Sequence, residues 1–320
     1  MRFSEADDLI DIRYDNVFKA VFTKNTPESK GALSRLVSAL IKRDVSIVAI
    51  AANEPPIENI RDRQIRFDIN CLANNGEPIN VEMCLNPNPF EPVRLEFHAG
   101  KLFTGQDIKG ADKTFDDLKE SYQIAILAKE RFFADDVLFH TFEYYDPEFN
   151  ISLNGRSRII TIELSKLDKI IEKPVDEMSP AEQWAVFFEY LTDRAKREKI
   201  NQIIKCQEGI AMASEVLNTI SKDWEERCYL ESILKWELDN QSKLAYARKL
   251  TRQAEQDILH AEQIMQQAEQ DILQAEQFKQ QAEQERDTWQ KAAADKDSEI
   301  AEQKTEIARL QAELEKLNKT

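Results

Sequence analysis

The chain has 320 residues and a formal net charge of -16, and 42% of its residues are hydrophobic while 32% are charged. This length and composition allow one substantial core with a less globular extension, and only seven glycines and ten prolines exclude a collagen-like chain and favour long helices. The acidic excess excludes a generally basic nucleic-acid-binding surface, so any contact with DNA would need a local basic patch.

The sequence contains neither a zinc-binding spacing nor a segment that would enter a membrane. The four cysteines form no Cys-x-x-Cys pair, and the three histidines are scattered. The N-terminal residues are too polar for a signal peptide, and no run of about 18 apolar residues occurs. We therefore expect reduced thiols, no membrane partner and a cytoplasmic location.

Helical and strand-like patterns alternate over the first half of the chain, and only helical patterns follow Pro180. The predicted helices of the first half are 15–22, 27–43 and 94–103, and the predicted strands are 45–51, 67–71, 79–85, 122–127, 137–145 and 158–164. The predicted fold class is therefore α/β. We predict three parts, which are an α/β domain over 1–175, a helical subdomain over 176–250 and a heptad-repeat helix over 251–320.

Asp68 and Glu82 lie on two neighbouring strand segments that are joined by Asn74-Asn75-Gly76. Both segments alternate in polarity, so they are predicted to be half-buried strands with the acids on the face away from the apolar side chains. A two-residue turn would put Asp68 opposite Met83, whereas a three-residue loop with Gly76 in the left-handed conformation would put it opposite Glu82. Only the second register would let the two carboxylates share a hard cation such as Mg²⁺. The alternative is an acidic hairpin that faces solvent and binds no metal.

The last part of the chain repeats with a period of seven residues. Ala-Glu-Gln recurs at 254, 261, 268, 275 and 282, and Gln-Ala-Glu-Gln-Asp-Ile-Leu occurs at 253 and again at 267. This period predicts one helix over 251–317 with a coiled-coil seam, in which Ile258, Met265 and Ile272 occupy position a and the repeated alanines occupy position d. Glutamates occupy the e positions of this stretch and Asp257, Asp271 and Glu285 lie on the other flank, so a parallel in-register homodimer would repel itself there.

Three arrangements of the heptads remain open. The seam becomes bulkier at Ile300, Ile307, Leu310, Leu314 and Leu317, so this end could drive homo-oligomerisation. A basic helical partner could instead bind the acidic flank. The helix could also remain single and solvated, because repeats rich in Ala, Glu and Gln have a high helix propensity.

The first two-thirds of the sequence resembles a known family through short motifs in a fixed order. They are Asp15-Asn16-Val17-Phe18-Lys19 with Phe22 one turn on, Phe67-Asp68-Ile69, Val81-Glu82-Met83-Cys84, the stretch 94–103, then Gly110, Phe115, Leu118 and 122–127, and finally Ile162-Glu163-Leu164-Ser165-Lys166. In this order they resemble the PD-(D/E)XK nuclease family transposases, also called the Rpn family of recombination-promoting nucleases.

This resemblance implies a restriction-endonuclease-like mixed-sheet core that hydrolyses phosphodiester bonds of DNA with Mg²⁺ or Mn²⁺. Asp68 and Glu82 would be the catalytic metal ligands, the backbone carbonyl of Met83 would add a further ligand, and Asp15 of the first helix would assist. The resemblance also implies DNA as the partner and a role in recombination or in a mobile element.

Cys84 departs from the family pattern, which has lysine or glutamine at this position. A lysine would orient water and offset negative charge, and a glutamine could hold water, whereas a neutral thiol does neither well. Arg94 or Lys101 on the next helix could supply the positive charge instead. Two hypotheses follow, which are a Mg²⁺-dependent DNA endonuclease and a catalytically lapsed nuclease fold that acts as a scaffold through binding and coiled-coil assembly.

Overall fold

The computed structural model describes residues 1–51, 67–108, 112–129, 131–153 and 155–317, and the motif residue Gly110 lies outside these ranges. The chain divides into two compact units, Met1–Leu238 and Asp239–Thr320. The predicted domain boundaries near residues 175 and 250 stay predictions.

The predicted helices and strands occur in the predicted order, and the short strand β7 is an addition to them. The helices are α1 (Asp15–Thr23), α2 (Pro27–Ile41), α3 (Glu91–Thr104), α4 (Pro180–Tyr190), α5 (Arg197–Cys206), α6 (Glu208–Lys222) and α7 (Trp224–Leu317). The strands are β1 (Ile47–Ile50), β2 (Ile69–Ala73), β3 (Pro78–Cys84), β4 (Ser121–Leu127), β5 (Phe139–Phe142), β6 (Tyr145–Asp146), β7 (Ile151–Ser152) and β8 (Ser157–Glu163). The strand predicted over 137–145 is thus divided between β5 and β6.

Six strands of the described part of the chain form one mixed sheet in the order β1-β2-β3-β4-β8-β5. β1, β2 and β3 are antiparallel neighbours, β3, β4 and β8 run parallel, and β5 is antiparallel to β8. α3 lies in the connection between β3 and β4, because parallel neighbours need a crossover that returns along the sheet. β6 and β7 pair separately as a short hairpin. The predicted α/β class with a mixed sheet is therefore confirmed.

Different helices cover the two faces of this sheet. Ile79 and Val81 of β3 belong to the main hydrophobic core, which also contains Phe22 of α1 and Trp184 of α4. On the opposite face, Leu95 of α3 packs on a small cluster that consists of Cys84, Ala125 and Leu127. The sheet is therefore a central layer with helices on both sides.

β3 is buried on both faces, which corrects the prediction that it is half-buried. Every residue from Ile79 to Cys84 is buried. Because α3 covers the face that carries Asn80 and Glu82, the polar residues of this strand form an internal layer and do not face solvent. Alternating polarity indicates which residues share a face, but it does not show whether a helix covers that face.

The loop between β2 and β3 has three residues, 74–76. The amide of Ala73 donates a hydrogen bond to the carbonyl of Glu77 at 3.0 Å and closes this loop. Gly76 has a φ of +84°, in the left-handed region that glycine adopts without strain. Both features are those of the three-residue loop that the sequence offered as one of two possibilities.

The register of the hairpin follows from this loop. Ile69 pairs with Val81 and Cys71 pairs with Ile79. The next position of the same register puts Asp68 opposite Glu82, so the second of the two predicted registers is confirmed.

The second unit contains one uninterrupted helical segment. It is part of α7, which continues to Leu317 and confirms the helix predicted over 251–317. Its seam residues Ile258, Met265 and Ile272 are exposed. The pairing of this helix with another helix stays a prediction.

We expect Gly76→Val to lower the free energy of unfolding by about 1–2 kcal/mol, because a β-branched residue is strained at positive φ. The cost is conformational, since an added Cβ would meet Lys119 only at an ordinary distance of 3.7 Å. Gly76→Asn should cost less, because asparagine tolerates the left-handed region. Urea unfolding followed by circular dichroism measures both variants. Equal losses would contradict a conformational role for Gly76.

Candidate active site

Asp68 lies immediately before β2 and contacts both β3 and α1. Its Oδ2 accepts a hydrogen bond from the backbone amide of Met83 at 3.2 Å. Its Oδ1 lies 3.1 Å from Nζ of Lys19, and the same Nζ lies 2.7 Å from Oδ2 of Asp15, one helical turn earlier. α1 therefore brings an acid and a base to the carboxylate of Asp68.

The carboxylate of Glu82 is completely buried between β3 and α3. Its Oε1 accepts a hydrogen bond from Nδ2 of Asn80 at 2.8 Å and lies 2.6 Å from Nδ1 of His98. Its Oε2 lies 2.9 Å from a terminal nitrogen of Arg94. Burial by itself would raise the pKa of Glu82, but the hydrogen bond with His98 and the charge of Arg94 hold it below its ordinary value. Glu82 therefore stays ionised, as a metal ligand must.

Asn80, which orients Glu82, is itself held in place by a second contact. Nδ2 of Asn80 also lies 3.0 Å from Oε1 of Gln123 on the neighbouring strand β4. All three side chains are fully buried. The orientation of the carboxylate is thus set by two strands of the sheet as well as by α3.

Cys84 lies on the same face of β3 as Glu82 and is buried against α3. A terminal nitrogen of Arg94 donates to its Sγ at 3.2 Å, and Sγ donates to Oε1 of Glu91 at 3.5 Å. Burial, together with the charges of Glu82 and Glu91, raises the pKa of Cys84 well above that of an ordinary thiol. The side chain is therefore a neutral thiol, and the positive charge beside it belongs to Arg94.

The predicted site residues lie in one region of the first unit. Asp15 reaches Asp68 through Lys19, and Met83 contacts Asp68 through its amide. The charge of Glu82 contributes to the raised pKa of Asp68. Of the two basic residues suggested on α3, Arg94 binds Glu82, whereas Lys101 is exposed farther along the helix.

Two residues of this cluster were not selected from the sequence. Lys19 belongs to the first family motif and follows Asp15 by four positions, so its helical spacing was a usable signal. His98 follows Arg94 by four positions on α3 and reaches the same carboxylate. A search for basic residues at this spacing would have found both.

Asp68 has a strongly shifted protonation equilibrium. Burial and the negative charge of Asp15, reinforced by that of Glu82 and opposed by Lys19, raise the pKa of Asp68 to about 7. Burial lowers the pKa of Lys19, but the charges of Asp68 and Asp15 more than offset this and leave it above its ordinary value. The cluster therefore holds more negative charge than Lys19 alone can balance.

The oxygen atoms of this cluster suit a hard divalent cation. Oδ1 of Asp15 is buried and has no hydrogen-bond partner in the described part of the chain, whereas Oε2 of Glu82 lies in the ion pair with Arg94. The carboxylates of Asp15, Asp68 and Glu82 supply oxygen atoms of the kind that Mg²⁺ and Mn²⁺ prefer, but these three acids do not form one of the closely spaced ligand groups of the described residues. The chemistry of these side chains therefore fits such an ion.

The described residues include two closely spaced groups of possible metal ligands. In each group the acids already bind a basic side chain of the protein. One group is Glu82, Cys84 and Glu91, and Arg94 binds both of its acids. This guanidinium is already shared by the two acids beside Cys84. The group is thus better described as the support of Glu82 than as a separate metal site.

The other group is Asp135, His140 and Glu163, near the end of β8. Nζ of Lys166 lies 2.5 Å from Oε1 of Glu163 and 2.9 Å from Oδ1 of Asp135. Oε2 of Glu163 accepts a hydrogen bond from the amide of Phe132 at 2.6 Å. The motif that contains Glu163 and Lys166 therefore forms a buried ion pair that anchors the segment after β4.

The ordered motifs and the acid pair on the β2–β3 hairpin agree with one protein family. The family model for PD-(D/E)XK nuclease family transposases matches residues 12–247. The chain belongs to this family. The resemblance found in the sequence is thereby confirmed.

PD-(D/E)XK nucleases generally use divalent metals. A search of curated proteins and a search of solved structures found no match for the chain. Among its described residues, no helix combines the length and the apolar character needed to cross a membrane.

We expect the stability of the metal-free protein to fall as the pH rises from the ordinary aspartate value of 3.8 to about 7, because Asp68 is protonated in the folded state over this interval and ionised in the unfolded chain. The stabilising contribution is complete below 3.8 and is lost as the pH passes through about 7. Asp68→Asn should abolish this part of the pH dependence, which amounts to a few kcal/mol at most. Urea unfolding in EDTA across this interval measures it, with the exposed Asp176→Asn as the control. Parallel pH curves for the wild type and Asp68→Asn would refute the assignment.

Proposed function

We propose that this PD-(D/E)XK nuclease family transposase is a DNA endonuclease that depends on Mg²⁺ or Mn²⁺ and acts in recombination or in a mobile element. The main support is the carboxylate of Glu82, which is fully buried yet held ionised by His98 and Arg94. Burying a charge is costly unless groups around it compensate. A fold that maintains such a charge opposite Asp68 has the features of a site for a cation.

The proposed metal ligands are Asp68, Glu82 and the backbone carbonyl of Met83, with Asp15 as an assisting acid. A divalent ion at this site would supply activated water and would neutralise the charge of the phosphate. His98 and Arg94 act as positioning residues, because each contacts one oxygen of Glu82 and neither oxygen can turn without breaking a contact.

We assign to Lys19 the positive charge that the family pattern places at position 84. Its ammonium group lies against Asp68 and keeps its charge. Arg94 is less suited to this role, since its guanidinium is already shared between Glu82 and Glu91. Lys19 would offset negative charge that develops on the phosphate during hydrolysis.

A second candidate function is a catalytically lapsed scaffold that binds through the nuclease fold and assembles through the heptads. It is favoured by Cys84, whose thiol is neutral and buried. It also predicts no dependence of function on the charge of Lys19.

We expect Asp68→Ala and Glu82→Ala each to reduce the nicking of supercoiled plasmid by about 100-fold or more, because each removes an oxygen ligand of the ion. The assay uses purified full-length protein with Mg²⁺ or Mn²⁺. Asp176→Ala and Glu177→Ala are matched controls, since both acids are exposed. Circular dichroism shows whether each variant is folded. Equal nicking by the wild type and the two site variants would reject the site assignment.

Exchanging the source of positive charge separates the two functions. If Lys19 supplies the charge, Lys19→Met should lose about 100-fold of the nicking rate, Lys19→Arg should keep part of it, and Cys84→Lys should partly restore the Lys19→Met variant. Cys84→Gln serves as a neutral control at the same buried position. Nicking that appears only in Cys84→Lys, with an inactive wild type, would establish the lapsed scaffold.

A further inference from the structure

The alanine-rich half of the second unit exposes a seam in which large and small side chains occupy different positions. Ile258, Met265 and Ile272 at position a are between 60% and 64% exposed. Alanines occupy position d throughout this stretch. Large apolar residues exposed at a heptad spacing indicate a surface that another helix covers.

The sizes of these side chains distinguish the two possible orientations of a paired helix. In a parallel in-register pair, position a faces a and position d faces d, so crowded layers would alternate with Ala–Ala layers that leave gaps. In an antiparallel pair, position a faces d, so each large side chain fills the space beside an alanine. Only the antiparallel arrangement gives every layer a similar volume and a close, even separation of the helices.

We propose that this seam binds the same seam of a second copy of the chain in antiparallel orientation, with Ile264 of both copies at the centre. The six central layers then consist of three pairings that each occur twice: Ile258 with Ala268 of the second copy, Met265 with Ala261 and Ile272 with Ala254. Farther out, Leu244 faces Ala282, whereas the intervening a positions carry the polar Thr251 and Lys279, which face Ala275 and Ala247.

The residues beside the seam support the same register. Position g alternates between apolar and acidic residues, with Leu250, Ile264 and Phe278 as the apolar members. In the antiparallel register Ile264 meets its own copy and Leu250 meets Phe278, so exposed apolar area is buried on both sides of the centre. In a parallel pair each of these three side chains would lie beside a glutamate at position e, at 255, 269 or 283.

The charges of the flanks are complementary near the ends of the pair and repulsive in its middle. Arg248 faces Glu276 and Lys243 faces Glu285, while the repulsive pairs are Glu255 with Glu269, Glu262 with its own copy, and Asp257 with Asp271. Exposed like charges at this spacing are screened by salt, whereas apolar contacts are not. Salt also screens the attractive pairs, and the two-fold symmetric dimer has four of these against five repulsive pairs, so we expect its stability to depend only weakly on the salt concentration.

Disulfide formation between two single-cysteine variants tests both the orientation and the register. The background is the full chain with Cys206→Ser and Cys228→Ser, because these two thiols are exposed and Cys71 and Cys84 are buried. Ile258→Cys and Ala268→Cys are oxidised separately and as an equal mixture. Alone, each thiol is separated from its own copy by ten residues, or about 15 Å along the axis, which is too far for a disulfide. The mixture should give a cross-linked dimer that contains one copy of each.

Ala261→Cys mixed with Ile258→Cys is the matched control, since it places a thiol at another d position that this register does not bring to residue 258. Cross-linking of Ile258→Cys with itself would establish a parallel pair and overturn the proposal. The absence of cross-linking in every mixture would overturn it as well.

Sedimentation of the full chain provides an independent measurement. Met265→Glu should convert the dimer to a monomer, whereas Gln270→Glu, which adds the same charge on the outer face, should not. A chain that ends after Lys296 should remain dimeric, because the proposed pair lies before this residue. A monomeric truncation would assign the association to the bulkier C-terminal seam and would overturn the proposal. This inference does not depend on nuclease activity.

Discussion

The buried charge of Glu82 determines much of what surrounds it. A carboxylate with no exposed area requires compensating partners, and the strand that carries it can supply only an amide from Asn80. The cationic partner Arg94 and the imidazole of His98 both come from α3. The connection between β3 and β4 therefore does more than join two parallel strands. Its helix α3 must lie across β3, because only then is the buried charge of Glu82 compensated.

The same constraint divides the charges of the site between two helices on opposite sides of the sheet. α3 neutralises Glu82, while α1 brings Lys19 and Asp15 to Asp68. Asp68, which has one cation and two acidic neighbours, is the group whose protonation responds near neutral pH, whereas Glu82 stays ionised. Two acids of similar sequence context thus differ in charge because of the helices that cover them.

The sequence was sufficient for the α/β class, the order of the elements and the hairpin that pairs the two acids, because these depend on local periodicity and on the conformational freedom of Gly76. It was not sufficient for the burial of β3. Polar residues at alternate positions of this strand suggest an exposed face, and only the position of α3 shows that Glu82 is internal. The contact between Lys19 and Asp68 was missed for a related reason, since it joins elements that are distant in sequence and depends on how α1 packs against the sheet.

The repeat in the second unit has a consequence for how this chain tolerates changes in length. Because Gln-Ala-Glu-Gln-Asp-Ile-Leu recurs after two heptads, a duplication or loss of these fourteen residues would keep every later residue at its own seam position. The helix would change by about 21 Å, at 1.5 Å per residue, without a stutter in its apolar stripe. Insertions that are not multiples of seven residues would rotate the stripe around the helix. The length of this helix can therefore change by whole repeats while its seam residues stay on the same face.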